Sequence, residues 1–246
     1  MIPKTIHYCW FGNKPLPDSA QKCIASWKKY FPDYTIKEWN ENNFNVNIIP
    51  YTQEAYQAKK YAFVSDYARL WILYKYGGIY FDVDVEVIKP MDDVILKGAF
   101  MGCEKGNGKE SDDALVAPGL GLACVPGLNI YKELLDLYAA LSFINEDGTF
   151  NLTTIVQYTT SILKNYGLKN VNAIQNICDI HIYPDEYFCP MNKGTKEIII
   201  TENTRCIHHY DGSWLPYPYH LKKKILQLFG KYEISLRKMK RRIMSI

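Results

Sequence analysis

Hydrophobic and polar positions along this chain alternate between two periods, and the switch from one to the other marks out its elements. Residues 5–10 form a short apolar run closed by Gly12, Asn13 and two prolines, which predicts a first strand. Cys23, Ile24, Trp27 and Phe31 then recur at helical spacing, so a helix capped by Asp18 or Ser19 is expected to reach about Tyr30, before Pro32 stops it. A second strand is expected over residues 35–39. Residues 52–76 read as a long helical region broken once near Tyr61, ended by Gly77 and Gly78 as a left-handed cap. Strands are expected near residues 99–103, 120–124, 174–181, 197–201 and 205–209, and helices at 129–141 and 153–166. The β-α-β opening places the chain in the α/β class.

The segment 79–87 holds the most information. Read as one strand, it sets Ile79, Phe81, Val83, Val85 and Val87 on one face and Tyr80, Asp82, Asp84 and Glu86 on the other. Three carboxylates on one face repel each other unless a cation sits among them. Asp82 and Asp84 offer hard oxygen ligands suited to magnesium or manganese, although the same pair also fits a solvated turn. Asp66 and Arg69 lie i, i+3 on the preceding helix and share a face. The Arg fork could hold a phosphate or sugar hydroxyl, or the two could form a plain ion pair. Farther on, His208 and His209 precede Asp211, Gly212, Ser213 and Trp214. One neutral imidazole could complete a metal site, and adjacent residues on a strand point to opposite faces, so one of the two histidines is the candidate.

Composition narrows the class. The 246 residues, 48% apolar and 22% charged, are ordinary for a globular domain and exclude a disordered or collagenous chain. Nine of the 29 basic residues fall within 222–242, where Glu233 is the only acid; that tail carries about +8 and leaves the remainder at about −5, given the formal +3 of the whole. A body of that sign is not a nucleic-acid-binding one. Seven cysteines without a CxxC pair fit neither a disulfide framework nor a zinc ribbon, and they suit a reducing, cytoplasmic setting. No signal peptide or membrane span is expected.

Four segments together resemble the DXD-containing sugar transferases. They are Ile6-His7-Tyr8-Cys9-Trp10, then Ala62 with Ser65, Asp66 and Arg69, then Leu73 and Tyr74 with Gly77, Gly78, Ile79, Tyr80, Asp82 and Asp84, and finally the His pair before Ser213 and Trp214. The match resembles glycosyltransferase family 32, the capsular and lipopolysaccharide transferase group; it is dense over residues 3–90 and looser over 205–215. The resemblance implies a GT-A fold, a Rossmann-like mixed sheet with helices on both faces, and transfer of a hexose from a nucleotide sugar with retention of configuration. It implies manganese(II) or magnesium as the cofactor and UDP-galactose or UDP-glucose as the donor. By the same resemblance Trp10 lies against the base, and Tyr80, Gly77, Gly78 and Asp82 border the donor. Asp66 and Arg69 meet sugar and ribose, Asp84 and Asp82 bind metal with His208 or His209, and Ser213 and Trp214 close over the diphosphate.

A domain over residues 1–219 is expected, followed by a basic helical tail over 220–246. Leu221, Ile225, Leu228 and Phe229 make an apolar stripe amid lysines, which suits an anionic membrane surface at the inner face or packing on the body. The acceptor expected is a glycan, lipid-linked in this class. Residues 106–113 are either a lid over the donor or a surface loop. Two rival functions stand beside the transferase. A non-catalytic nucleotide-sugar or carbohydrate-binding protein would use the same ligands. An aspartyl phosphatase would open its domain with D-x-D, whereas about 80 residues precede Asp82 and Glu86 and Lys89 fall at the wrong places. The pairs Gly106, Gly108 and Gly119, Gly121 lack the third glycine of a dinucleotide-binding turn.

Overall fold

A computed structural model describes residues 1–104, 115–192 and 195–212. Strand β1 (Thr5–Cys9) leads into α1 (Asp18–Tyr30) and β2 (Thr35–Trp39); α2 (Pro50–Gln57) and α3 (Tyr61–Tyr76) lead back to β3 (Gly78–Tyr80). Then come β4 (Val85–Val87), α4 (Asp92–Ile95), β5 (Phe100–Glu104), β6 (Leu115–Val116), β7 (Leu122–Cys124) and α5 (Asn129–Ala139). The order closes with α6 (Ile155–Asn165), β8 (Gln175–Ile177), β9 (Ile180–Tyr183), α7 (Asp185–Phe188) and β10 (Cys206–His208). All of these elements lie in one compact unit, Met1–Tyr210. The expected tail over 220–246, the loop 106–113, Ser213 and Trp214 lie outside the described residues.

The main sheet is mixed and runs β2-β1-β3-β7-β5-β9-β8, with β6 beside β5. Strands β1, β2 and β3 are parallel, whereas β7 is antiparallel to both β3 and β5. Helices cover both faces, as expected. Alternation along β1 sends Ile6 and Tyr8 to the face covered by α1 and α7, through Ala20, Cys23, Trp27 and Phe188. Cys9 and Tyr80 face the other side, where Leu70, Leu73, Tyr131, Leu134 and Ile162 bring in α3, α5 and α6. With Trp27 and Leu70 removed completely from solvent, each such side chain contributes roughly 1.5–3 kcal/mol of apolar burial.

The chain leaves β1 for a neighbour on one side, β2, and returns on the other, as β3. That reversal makes the carboxyl ends of β1 and β3 a topological switch point, the position where open α/β sheets bind ligands. His7 opposes Tyr80 in the register, so the residues that follow each strand, Trp10 and Asp82, emerge at the same edge.

Several expected boundaries move. Residues 79–87 are two strands rather than one: the chain turns at Asp82–Val85, where the Val85 N–H donates to the Asp82 carbonyl at 3.0 Å. Beyond the turn, β4 leaves the main sheet to pair antiparallel with β10. Helix α1 draws it away: the Trp27 indole donates to the Val85 carbonyl at 2.8 Å and the Val87 N–H to the Ser26 hydroxyl at 3.0 Å. Residues 174–181 form the hairpin β8–β9 instead of one strand, because Cys178 and Asp179 both take positive φ, +52° and +61°, as a two-residue turn between twisted strands requires. Residues 197–201 make only the bridge Met191–Ile198. Helix α1 begins at Asp18 with Pro17 at its cap position and no side-chain cap. The break expected near Tyr61 is present, with Lys59 at φ +57° between α2 and α3.

One buried histidine ties these parts together. The Trp39 indole of β2 donates to His7 Nδ1 at 3.0 Å, which leaves the Nε2–H to donate to the Gly77 carbonyl at the end of α3, at 3.1 Å. The imidazole is therefore neutral, and burial pulls its pKa from 6.5 down to about 4 against the effect of the Gly77 bond. Because the unfolded chain takes up this proton first, the contribution is complete above about pH 6.5 and is lost as pH falls through 4, by up to about 3 kcal/mol. In urea unfolding, the advantage of the wild type over His7→Gln is expected to shrink by about that amount from pH 7 to pH 4; a constant margin would show that His7 is not held neutral.

Candidate functional site

At the edge reached by β1 and β3, three ligand atoms from Asp82, Asp84 and His208 lie within 4.8 Å of one another. The pairing of β10 with β4 explains how residues so distant in sequence meet: His208 opposes Val85, directly after Asp84. His208 Nε2 lies 3.1 Å from Asp84 Oδ1, and both side chains are largely buried. The His209 N–H extends the ladder to the Asp84 carbonyl at 3.0 Å, but its ring turns away, with Nε2 2.9 Å from Glu86 Oε2. Of the two histidines left open by the sequence, His208 is the one brought to the aspartates. Glu86 does not join them, since the turn at Asp84 removes it from the shared face.

Behind this cluster lies a buried charge network. Arg69 Nη2 is 3.0 Å from Asp66 Oδ1 and 3.2 Å from Asp82 Oδ1, while Nη1 donates to Asp82 Oδ2 at 3.4 Å and Nε to the Ser65 carbonyl at 3.2 Å. Its guanidinium sits 5.0 Å from the centroid of the Tyr80 ring, and the Tyr80 hydroxyl donates to Asp82 Oδ1 at 3.3 Å. The i, i+3 pair is thus not a surface salt bridge; it is an Arg shared by two acids, with its side chain only 5% exposed. Burial pushes Asp66 up to about 6, opposed by Arg69, assisted by Asp82 and opposed by the Ile155 N–H at the start of α6. Burial likewise raises Asp82, with Arg69 opposing and Asp84 assisting.

Arg69 pairs with Asp66 and Asp82, and the further negative charge of Asp84 shows at His208. Burial alone would lower its pKa, but Asp84, followed by Asp82 and Glu104, outweighs it and holds the imidazole above its ordinary value. The donor set fits a divalent cation. Two carboxylates and an imidazole suit manganese or magnesium better than a soft metal, and ligands about 2.1 Å from one ion lie roughly 3–4 Å apart, close to the observed spread.

The remaining sequence candidates fall into two places. Trp10 follows β1 at the same edge, half-buried, with its indole donating to the Lys14 carbonyl at 2.6 Å. Gly77 and Gly78 lie instead at the amino end of β3, a strand's length from the acids. Their positive φ values, +63° and +101°, and the close Thr5 carbonyl beside Gly78 account for both glycines. The sequence reading did not single out Gly119 for this site. The Asp82 N–H donates to its carbonyl at 3.1 Å, and a Cβ there would overlap Asp82 Oδ2 and stand 3.1 Å from Arg69 Nη1. Its only sequence signal was the Gly119, Gly121 pair, read as an incomplete phosphate-binding turn.

Residues 17–101, about a third of the chain, match the family described as glycosyltransferase sugar-binding region containing DXD motif. The acid-rich turn at Asp82–Asp84 lies within that match. Two curated relatives come from Schizosaccharomyces pombe: inositol phosphoceramide mannosyltransferase 1, 28% identical over 111 residues, covering 41% of this chain and 33% of that one; and inositol phosphoceramide mannosyltransferase 3, 33% identical over 98 residues, covering 38% and 27%. The match thus spans about a third or less of the curated relatives' length. Among solved structures, a glycosyltransferase involved in the glycosylation of the major capsid of PBCV-1 superposes with a TM-score of 0.48 at 14% identity, covering 86% of this chain and 95% of that one.

Removing Arg69 would leave two buried carboxylates without a cation. Arg69→Met is expected to lower the unfolding free energy by about 3–5 kcal/mol, and adding Asp66→Asn should recover part of that loss. Urea denaturation of both variants checks it; an unchanged midpoint in Arg69→Met would show that the network is not structural.

Proposed function

We propose that the chain is a metal-dependent, retaining glycosyltransferase of the family 32 kind, moving a hexosyl group from a nucleoside diphosphate sugar to a glycan acceptor in surface polysaccharide synthesis. The observation that carries the reading is the convergence of Asp82, Asp84 and His208 at the sheet's switch point, in front of an Arg69 fixed by Asp66 and Asp82. In this reading Asp84, His208 and Asp82 hold manganese(II) or magnesium, which when bound neutralises the diphosphate leaving group as a Lewis acid. Arg69 and Tyr80 set the angle of the Asp82 carboxylate, which accepts from both. Trp10 offers a flat apolar surface to the base. By the resemblance, Ser213 and Trp214 are the contacts proposed for the diphosphate.

The transfer breaks the bond from the anomeric carbon to the diphosphate oxygen, which keeps the electron pair. The acceptor oxygen bonds to that carbon on the face just vacated, and its proton passes to the departing phosphate. UDP-galactose and UDP-glucose are the donors proposed. The curated relatives are named for mannosyl transfer to inositol phosphoceramide, which supports including GDP-mannose in any donor test and a lipid-linked acceptor at a membrane surface. The attachment proposed is peripheral, through the basic stretch within residues 222–242; among the described residues no helix is long and apolar enough to cross a membrane.

Nucleotide release from UDP-, GDP- and CMP-sugars should appear with one donor in Mn2+ or Mg2+ and vanish in chelator, and Asp84→Asn and His208→Ala should each lower it by at least about 100-fold. Metal-dependent nucleotide binding without release, with acceptor sugars present, would favour the non-catalytic binding protein instead. Truncation at Lys222 is expected to abolish co-sedimentation with anionic vesicles; retained binding would remove the tail from the proposal.

A further inference from the structure

A metal-binding histidine ordinarily donates its second ring nitrogen to a carboxylate, carbonyl or water, and that bond fixes the ring's angle. His208 departs from this pattern. Its Nε2 faces Asp84, while its Nδ1 is buried without a hydrogen-bond partner among the described residues. An aromatic ring stands against the imidazole: the Tyr210 and His208 centroids are 4.1 Å apart with the planes at 90°. Such edge-to-face contacts are orientation-dependent and attractive.

Tyr210 is itself held from three directions. Its hydroxyl donates to Glu104 Oε2 at 3.1 Å and lies 2.9 Å from Cys189 Sγ. The Lys196 ammonium stands 5.7 Å from the centroid of its ring. The backbone at Tyr210 has φ +50°, a left-handed conformation that is uncommon for a bulky aromatic residue and persists only where surroundings enforce it. Strand β10 ends at His208, so without this anchoring the imidazole would close the ladder with its angle set by Asp84 alone.

From these contacts we infer that Tyr210 is a positioning residue for the metal site: its ring takes the place of the missing hydrogen-bond acceptor behind His208 and fixes the imidazole at the angle that presents Nε2 to the ion held with Asp84 and Asp82. The inference rests on the metal-site reading above. The aromatic ring is the required element, and the hydroxyl serves to anchor it.

Mn2+ titration of the full chain, followed by electron paramagnetic resonance, tests it. Tyr210→Leu is expected to weaken Mn2+ binding about 10–100-fold, whereas Tyr210→Phe stays within about threefold of wild type. In the His208→Ala background Tyr210→Leu should cause no further loss, because the two residues act through one contact. If Tyr210→Leu does not fold, Tyr210→Met, which fills the volume without a ring, takes its place. Equal losses in Tyr210→Phe and Tyr210→Leu, unchanged binding in Tyr210→Leu, or losses that add to that of His208→Ala would each overturn the inference while leaving the metal site standing. A wild type that binds no Mn2+ would overturn both.

Discussion

The whole carboxyl edge of this sheet depends on one guanidinium. Arg69 lies inside the protein between Asp66 and Asp82, supported by the Ser65 carbonyl and the face of Tyr80. Two carboxylates buried near each other are tolerable only because this cation is there, and a buried cation of this sort is tolerable only because its donors are occupied. The network holds Asp82 at a defined angle and makes α3 and the turn after β3 parts of one rigid object. Asp84 lies outside that neutralisation, which is why it draws on His208.

Strand breaking converts this charge pattern into a site. A continuous strand from β3 through β4 would spread Asp82, Asp84 and Glu86 along one face at about 7 Å intervals. The turn at Asp82–Val85 gathers two of them and sends the third away, and α1 secures the detour with the Trp27 and Ser26 hydrogen bonds. Because β4 then needs a new partner, β10 is brought in from more than 100 residues farther along the chain, and His208 comes with it. Gly119 admits the arrangement by offering its carbonyl to Asp82 where a side chain would collide with the carboxylate.

The two ends of the site are held by different contacts. Asp82 is restrained by Arg69 and Tyr80, whereas Asp84 sits in a turn and His208 at a strand terminus. The anchored ring of Tyr210 lies at the His208 end, joined through Glu104 to the end of β5 and through Cys189 to the residue after α7. Support for the imidazole therefore comes from the far half of the sheet, which links the two halves at the site.

Local pattern was enough to determine the α/β class, the opening β-α-β unit and the break between α2 and α3, and to single out Asp66, Arg69, Asp82 and Asp84, which the fold brings together, as candidates. These follow from periodicity, from glycine and proline punctuation, and from charges closely spaced along the chain. Other features depended on long-range pairing that no local window contains. The alternation in residues 79–87 reads the same for one strand as for two strands joined by a turn, so the turn at Asp82 became visible only from the hydrogen bonds of α1. The hairpin at Cys178 and Asp179 was hidden because neither residue advertises positive φ as glycine would. Burial of the Arg69 pair, the choice of His208 over His209, and the contributions of Gly119 and Tyr210 were decided by tertiary structure alone, because each depends on which segment packs opposite rather than on which residue stands next in sequence.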